Sequence, residues 1–469
     1  MANQYDLAII GSGPGGYRAA VLGALRGLKV AIVEKDTWGG CCLNRGCVPK
    51  KDWHHTARIL AASEGFAERG IRGSLEPDLE AAWDHQKAVV EEVRGNYTDY
   101  MKRLGIAAHV GHGTLVDAHT VRVSGDGGES DLTADHLILA TGSHARIPEG
   151  ITPESGRILT TDMLFDERPP EGRRVALAGG GVIGTELAWI LTRLGCEVTW
   201  LMGTKPLRGA GFTPQALRTL EAALSREGVK AQTDRRLAGA RVTDNGVTVE
   251  LADGATEEVD WLLLGTGRVP HTAGLEPAAA GVEVDGDGFI TTGADLRTAA
   301  GHIFAIGDVR TPIMTANQAL ADATTAVDNI VTGSARETPE KRVPWAVYSA
   351  VELARVGMDD DTAEDEGWEP AVGFAAFETS PRALGQGDAE GHVRLLADMD
   401  EGTLLGTEIV GDEAAELIHL AALAPDPDTA LRLLAGGPWN HPTRGEELGN
   451  AAETMAAQWG MGEFVFPEE

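Results

Sequence analysis

One arrangement occurs twice in this sequence and narrows the possible folds more than any other feature. Tyr5–Ile10 (YDLAII) has the apolar run of a buried strand. Gly11-Ser12-Gly13-Pro14-Gly15-Gly16 comes next, then a small-residue helix over Tyr17–Leu25 and a second strand, Val30–Val33, ending at Glu34. The same order returns as Val175–Ala178, Gly179-Gly180-Gly181-Val182-Ile183-Gly184, helix Thr185–Leu194 and strand Val198–Leu201. Strand, glycine turn, helix, strand is the opening of a dinucleotide-binding βαβ unit. Glycines let the turn close and bring backbone N–H groups within reach of a pyrophosphate, toward which the helix N-terminus projects about half a positive charge. A single such turn is common in α/β proteins. Two of them, each between a strand and a helix, predict a flavin dinucleotide and a nicotinamide dinucleotide.

Glu34 closes the first unit's second strand, where a carboxylate can accept hydrogen bonds from a ribose diol. Met202 stands at the matching place in the second unit, trailed by Thr204, Lys205 and Arg208. The missing acid and the nearby cations favour NADPH, whereas Gly184 as the last glycine favours NADH, so the expectation is NAD(P). A second echo supports the duplication. Leu137–Gly142 (LILATG) and Leu262–Gly267 (LLLGTG) are buried-strand runs ending in Thr-Gly, one per unit. Ile303–Asp308 (IFAIGD) is a further strand, whose Asp308 can accept from a flavin's ribityl hydroxyls. From Val343 the texture becomes alternating strands (VPWAVYS, HVRLLAD, LLGTEIV) with helices at Asp412–Leu423 and Pro427–Ala435, which suits a separate α+β domain.

Composition sets the class. The 469 residues are 43% hydrophobic with 60 glycines, and the apolar residues come in short runs, so a compact α/β protein of several subdomains is expected. The net charge of −31 would repel phosphate backbones and anionic membranes, so neither nucleic acid nor membrane is an expected partner. No apolar run reaches the ~18 residues of a membrane span, and no basic leader opens the chain, which predicts a cytoplasmic location. Of four cysteines, three are close together as Cys41, Cys42 and Cys47, with Cys196 alone. In a cytosolic chain a close pair is catalytic, redox-active or metal-binding.

Cys42 and Cys47 are five residues apart. In a continuous α-helix their Cα atoms would lie about 8–9 Å apart, beyond the ~7 Å limit for a disulfide. The segment must bend to join them, and Gly46 and Gly39-Gly40 permit that. Pro49 suits the first turn of a helix running through Asp52–Ala62. That helix N-terminus, with Lys50 and Lys51, would lower a thiol pKa. Two inert thiols or half a zinc site are the competing readings, but no second Cys/His pair has ligand spacing, so no metal is expected. A redox disulfide is the better reading.

Gly39-Gly40-Cys41-Cys42-Leu43-Asn44-Arg45-Gly46-Cys47-Val48-Pro49-Lys50-Lys51 resembles the active-site segment of the flavin-dependent pyridine nucleotide–disulfide oxidoreductases. The resemblance covers nearly the whole chain. It includes Ala140-Thr141-Gly142-Ser143, Glu186 after the second glycine turn, Gly265-Thr266-Gly267-Arg268-Val269-Pro270, Ala305–Asp308 and His441-Pro442-Thr443-Arg444-Gly445-Glu446. It implies an α/β fold with two Rossmann-like dinucleotide-binding domains and a C-terminal α+β dimerisation domain. The corresponding boundaries are 1–150 and 271–342 for FAD, 151–270 for NAD(P), and 343–469 for the interface of a homodimer.

By matching position, Cys42 would exchange with substrate and Cys47 would face the flavin. Lys51 and Glu186 would pair beside the flavin N5, and His441 with Glu446 would serve as acid–base across the dimer interface. The implied FAD contacts run through Gly11–Gly16, Glu34, Lys35, Gly40, Cys42, Lys51, Gly113, Ala140–Ser143, Asp308, Met314, Thr315 and Ala316. The nicotinamide contacts are Gly179, Gly181, Val182, Ile183, Gly184, Glu186, Gly267 and Arg268. Within the family the chain is most like the dihydrolipoamide dehydrogenases, which implies a lipoyl-bearing protein as substrate. A reductase of another small disulfide is the alternative enzyme, and a flavin-bearing interaction subunit without catalysis is the alternative of another class. Cys41, Lys50, Asn317, Trp439-Asn440 and Met202 depart from the dehydrogenase pattern and point to a specialised member. Cys41 is either a third redox thiol or a small residue packed beside the flavin.

Overall fold

The structure, a computed structural model, describes residues 3–424 and 426–466. Three sheets organise it, and the two glycine turns open from the first two. In the first sheet Asn3–Ile10 is central and parallel to Val30–Glu34 on one side and Gly128–Leu139 on the other. Leu7, Ala8 and Ile9 are fully buried because both faces of the sheet are covered, so the strand reads as continuously apolar. Chain from the far side of the second sheet returns here: Ile303–Ala305 pairs in parallel with Gly128–Leu139. The Ala316–Thr332 helix then packs against the Pro14–Leu25 helix, where Ala19, Ala20, Ala323 and Ala326 allow close approach.

The second sheet is wholly parallel, in the order Lys230–Gln232, Glu197–Leu201, Arg174–Ala178, Trp261–Leu264, Ile158–Thr160. Its core includes the fully buried Trp200 and Trp261. A two-stranded ribbon, Ser143–Ala145 against Arg268–Pro270, carries the chain between the first and second sheets. The third sheet is antiparallel, running Trp345–Val347, Leu353–Gly357, Leu404–Val410, His392–Asp398, Pro370–Ala376. Helices Ala414–Ala422, Pro427–Ala435 and Glu446–Trp459 pack on it. Among the described residues no helix is long and apolar enough to cross a membrane.

Both turn helices begin three residues earlier than expected, at Pro14 and Val182 instead of Tyr17 and Thr185. Pro14 has its φ preset for a first helical position, and Gly13 is the extended residue before it. The glycine turns are therefore partly helix, which aims their N–H groups along the helix axis. The helix expected from Asp412 starts at Ala414, after Glu413 adopts a left-handed φ of 64°.

One buried ion pair holds the turn at Gly307 in place. Asp322, fully buried, accepts from Gly307 N at 2.9 Å, Arg310 Nε at 2.8 Å, Gln318 Nε2 at 2.9 Å and Thr338 Oγ1 at 3.0 Å. Replacing Asp322 with Ala leaves the Arg310 charge with Glu340 as its one ion-pair partner among the described residues and should cost about 3–5 kcal/mol. Urea unfolding followed by tryptophan fluorescence measures this, and a loss below about 1 kcal/mol would contradict the role.

Candidate active site

A single cavity of about 1410 Å³ runs from the first glycine turn to the second, with the cysteine pair between them. It exceeds the ~300–1,000 Å³ of ordinary small-molecule sites. Close backbone approach shapes it: a Cβ on Gly11 would lie 2.3 Å from the Ala140 carbonyl oxygen, and one on Gly40 would lie 2.7 Å from Gly13 Cα. Gly13 and Gly181, by contrast, have nothing within 4 Å of a Cβ position and leave their turns open for a ligand.

The flavin end offers partners that the chain itself does not exhaust. Glu34 is buried and holds the turn by accepting from Ser12 N at 2.9 Å and Ser12 Oγ at 2.6 Å. Thr141 Oγ1 is buried with no hydrogen-bond partner among the described residues. Burial pushes the Asp308 carboxyl above its ordinary range although Ser143 Oγ donates to it at 2.5 Å. Buried hydroxyl and carboxyl groups of this kind require polar partners, and the hydroxyls and phosphates of a flavin dinucleotide would supply them. The residues present fit FAD. Lys35, Gly40, Gly113, Ala140, Gly142, Met314, Thr315 and Ala316 line the same cavity, as do Gly179, Gly181, Val182, Ile183, Gly267 and Arg268.

Gly16 and Gly184, expected to touch the dinucleotides, do not line the cavity. A Cβ on Gly16 would lie 1.9 Å from the Gly11 oxygen, and one on Gly184 would lie 2.0 Å from the Gly179 oxygen. These glycines let each helix close on its own turn. Gly184 is thus explained by the turn's geometry and carries no information about the nucleotide.

The cysteine pair sits at a break in a helix. Gly40–Arg45 is helical, Gly46 leaves helical geometry at φ −136° and ψ −104°, and Cys47–Ser63 resumes as a second helix with Pro49 in its first turn. The expected bend therefore falls at Gly46. It brings the Cys42 and Cys47 thiols into hydrogen-bond contact in the reduced form. Cys47 is lowered to about 6, because the Cys42 thiol donates to it and the Lys51 and Lys50 ammoniums lie near, and these outweigh burial. Cys42 is pushed well up by the same hydrogen bond and by burial. The pair in its reduced form is a thiolate at Cys47 and a thiol at Cys42.

Glu186 is fully buried behind it. Burial alone would raise its carboxyl, but Lys50 and Lys51, with the Tyr348 N–H, hold it at about 2. The expected Lys51 contact is 3.2 Å, and Lys51 also lies 4.1 Å from the centre of the Tyr348 ring. Lys50, expected only as a nearby charge, is closer, 2.6 Å from the same carboxylate. Two ammoniums on one carboxylate leave a net positive charge beside Cys47. Adjacent lysines in a helix point about 100° apart, so spacing alone suggests that one of them faces out. Their long stems let both converge.

Cys41 lines the cavity with its sulfur 3.5 Å from Asp162 Oδ1 and 3.3 Å from Arg268 Nη2. Burial pushes its thiol up to about 12, so it remains protonated at neutral pH. Arg268, matched to the nicotinamide site, is engaged by Ser143 Oγ at 2.7 Å and Asp162 at 2.9 Å.

His441 and Glu446 form the expected pair, with Nδ1 2.8 Å from Oε1 and the Thr443 N–H donating to Oε2 at 2.6 Å. Their loop, however, lies outside the cavity, and the imidazole side chain is 69% exposed. One chain thus assembles Cys42, Cys47, Lys51 and Glu186 with both turns, and presents His441 and Glu446 outward. Arg444, in sequence only one more member of the motif, is buried between them. Gln386 Oε1 lies 2.9 Å from its Nε, and the Phe377 ring centre lies 5.1 Å from the guanidinium.

Comparison with known proteins agrees with this geometry. Residues 5–323 match the family model described as pyridine nucleotide-disulphide oxidoreductase, and residues 343–452 match the dimerisation domain of that family. The dihydrolipoyl dehydrogenase of Thermus scotoductus is 35% identical over 460 residues, covering 97% of this chain and 98% of that protein. That of Haloferax volcanii is 34% identical over 468 residues, covering 98% of each. Among solved structures, LpdA from Mycobacterium tuberculosis superposes with a TM-score of 0.89 at 24% identity, over 96% of this chain and 99% of that one, which shows the shared fold. The HOCl-induced flavoprotein disulfide reductase RclA from Escherichia coli gives 0.83 at 26% identity, again over 96% and 99%. The chain belongs to the pyridine nucleotide-disulphide oxidoreductases, FAD-dependent enzymes that pass electrons between a pyridine nucleotide and a disulfide.

Proposed function

We propose that the protein is a dihydrolipoyl dehydrogenase-like enzyme, cytoplasmic and homodimeric, whose substrate is a dithiol or disulfide of the lipoyl type. The observation that carries this reading is the Cys42–Cys47 pair, set between two dinucleotide turns with the Cys47 thiolate favoured by Lys50 and Lys51. The nearly full-length likeness to dihydrolipoyl dehydrogenases supports the lipoyl substrate. In this reading residues 1–150 and 271–342 form the FAD domain, 151–270 the NAD(P) domain and 343–469 the interface.

The chain's part in the reaction is thiol–disulfide exchange. A substrate thiolate attacks Cys42 in the oxidised pair, forming a mixed disulfide and releasing Cys47 as a thiolate. The second substrate thiol, after giving up its proton, attacks the substrate sulfur of that mixed disulfide, forms the substrate disulfide and releases Cys42. Two protons and two electrons leave the substrate, and the electron pair rests on the cysteines. In this reading the outward-facing His441, its Nδ1 paired with Glu446, serves a partner subunit and takes the substrate's proton at Nε2. FAD, when bound, carries the electron pair from the cysteines to the pyridine nucleotide. Lys50 and Lys51 hold positive charge where negative charge accumulates, and Glu186 keeps both in place.

Two measurements test this. Steady-state rates with dihydrolipoamide and each oxidised pyridine nucleotide should show turnover, and activity with an unrelated disulfide alone would overturn the substrate. The thiolate–flavin absorbance of the two-electron-reduced enzyme should be present at neutral pH. Because the Cys47 pKa is lowered, that band should be lost as pH falls through about 6. A band unchanged down to about pH 4 would contradict the assignment of the thiolate.

A second reading, reduction of another small disulfide, is favoured by the likeness to the RclA disulfide reductase. Reduction of a small disulfide by a reduced pyridine nucleotide, faster than oxidation of dihydrolipoamide, would select it.

A further inference from the structure

If the second glycine turn holds the pyridine nucleotide, as the proposed function requires, the rim beside that turn meets the nucleotide's adenosine ribose; the 2′-phosphate site described next rests on that reading. At the end of the second strand of such a unit, an acid accepts from the ribose diol, whereas a nearby arginine accommodates a 2′-phosphate. The strand Glu197–Leu201 runs into Met202, which is buried beneath the turn. A Cβ on Gly180 would lie 3.2 Å from Met202 Cβ and 3.5 Å from its sulfur. The place of the acid is therefore filled by an apolar side chain that packs the turn from below.

The loop after Met202 is fixed against the turn and carries positive charge. The Leu207 N–H donates to the Gly180 oxygen at 2.9 Å, which docks the 203–208 loop and sets the exposed Arg208 next to it. Arg236, in the connection between strands Lys230–Gln232 and Leu237–Thr243, lies across Gly203: a Cβ there would meet its Nε at 2.6 Å and its Cγ at 2.9 Å. A side chain at position 203 would displace the arginine from this place. The neighbouring Arg235 is engaged by Asp253 at 2.5 Å and Glu257 at 3.7 Å, and Lys205 has Glu221 at 3.7 Å. The exposed Arg236 side chain makes no hydrogen bond or ion pair among the described residues, although Asp234 is two positions away in the chain. Gly184, the one feature that favoured NADH, is required by the turn itself.

We propose that Arg236, lying across Gly203, forms a 2′-phosphate site together with Thr204 and Arg208 of the 203–208 loop, and that this chain takes NADP(H) in preference to NAD(H). Calorimetric titration of the purified flavoprotein with adenosine 2′,5′-bisphosphate and with adenosine 5′-monophosphate tests it, since the two differ only in the 2′-phosphate. The bisphosphate should bind roughly tenfold or more tightly, the size expected of a hydrogen bond to a charged group. Arg236→Ala should bring the two affinities within about threefold while leaving the monophosphate unchanged, and Gly203→Ala, by displacing the guanidinium, should do the same. Equal or tighter binding of the monophosphate, or a preference that survives Arg236→Ala, overturns the proposal. Failure of both ligands to bind overturns it too. Anaerobic bleaching of the flavin by NADH or NADPH then tells whether nucleotide binding at the second turn falls with it.

Discussion

Cys47→Ser should leave a yellow, folded protein whose turnover with dihydrolipoamide is at least about 10³-fold lower, with no long-wavelength band on reduction. The loss comes from what Cys47 does in both halves of the reaction. In the proposed reaction it is the leaving sulfur when substrate attacks Cys42, and it is the thiolate that stores the electron pair. A serine hydroxyl can form no disulfide and has no thiolate. The magnitude is of the order found when a nucleophile that acts within a unit is removed. Retained flavin absorbance separates chemistry from folding, since the groups proposed to hold the flavin, Glu34, Asp308 and the glycine turn, do not include this sulfur. Persistence of the band in the variant would show that another thiol, Cys41 or Cys42, faces the flavin.

His441→Ala should lower turnover by roughly 10²–10⁴-fold, the usual contribution of a positioned general acid–base. Reduction of the flavin by the pyridine nucleotide should be unaffected, because that half-reaction takes place at the second turn and His441 lies outside the cavity. Glu446→Gln should have a smaller effect in the same direction. It keeps a hydrogen-bond acceptor for Nδ1 but removes the carboxylate charge beside the ring. Stopped-flow measurement of the two half-reactions separates these outcomes. A loss under tenfold for His441→Ala, or an equal loss in both half-reactions, contradicts the acid–base role.

Much of the architecture is legible where hydrophobic period and glycine spacing act together. Strands His392–Asp398 and Leu404–Val410 and helix Pro427–Ala435 fall where the pattern puts them: the strands are short apolar runs buried almost throughout, and the helix buries one face through Ala430, Leu431 and Leu434. The glycine turns lie at the strand ends where the motif puts them, but their helices begin inside them. Glycines look like loop in sequence, yet Pro14 and Val182 are already helical. Gly16 and Gly184 occupy motif positions that suggest ligand contact. Their actual constraint, a carbonyl oxygen too close to where a Cβ would sit, is a three-dimensional fact that a motif does not contain.

The site is less legible than the fold. The cysteine bend is deducible from the length of a disulfide. The convergence of Lys50 and Lys51 on Glu186 is not, because it depends on side-chain reach across 135 or more residues of chain. Arg444 carries a usable signal: an arginine between two functional residues in a short loop is either solvated or buried for a purpose. The structure shows it buried, holding the loop that presents His441.

The most direct test of the central claim counts thiols. The sequence has four cysteines, so the oxidised enzyme unfolded in denaturant should expose two free thiols, Cys41 and Cys196. After anaerobic reduction by one equivalent of pyridine nucleotide and quenching by alkylation, all four should be labelled, with Cys42 and Cys47 as the new sites by peptide mapping. Four labelled thiols before reduction, or an unchanged count after it, would mean that no disulfide between Cys42 and Cys47 carries the electrons.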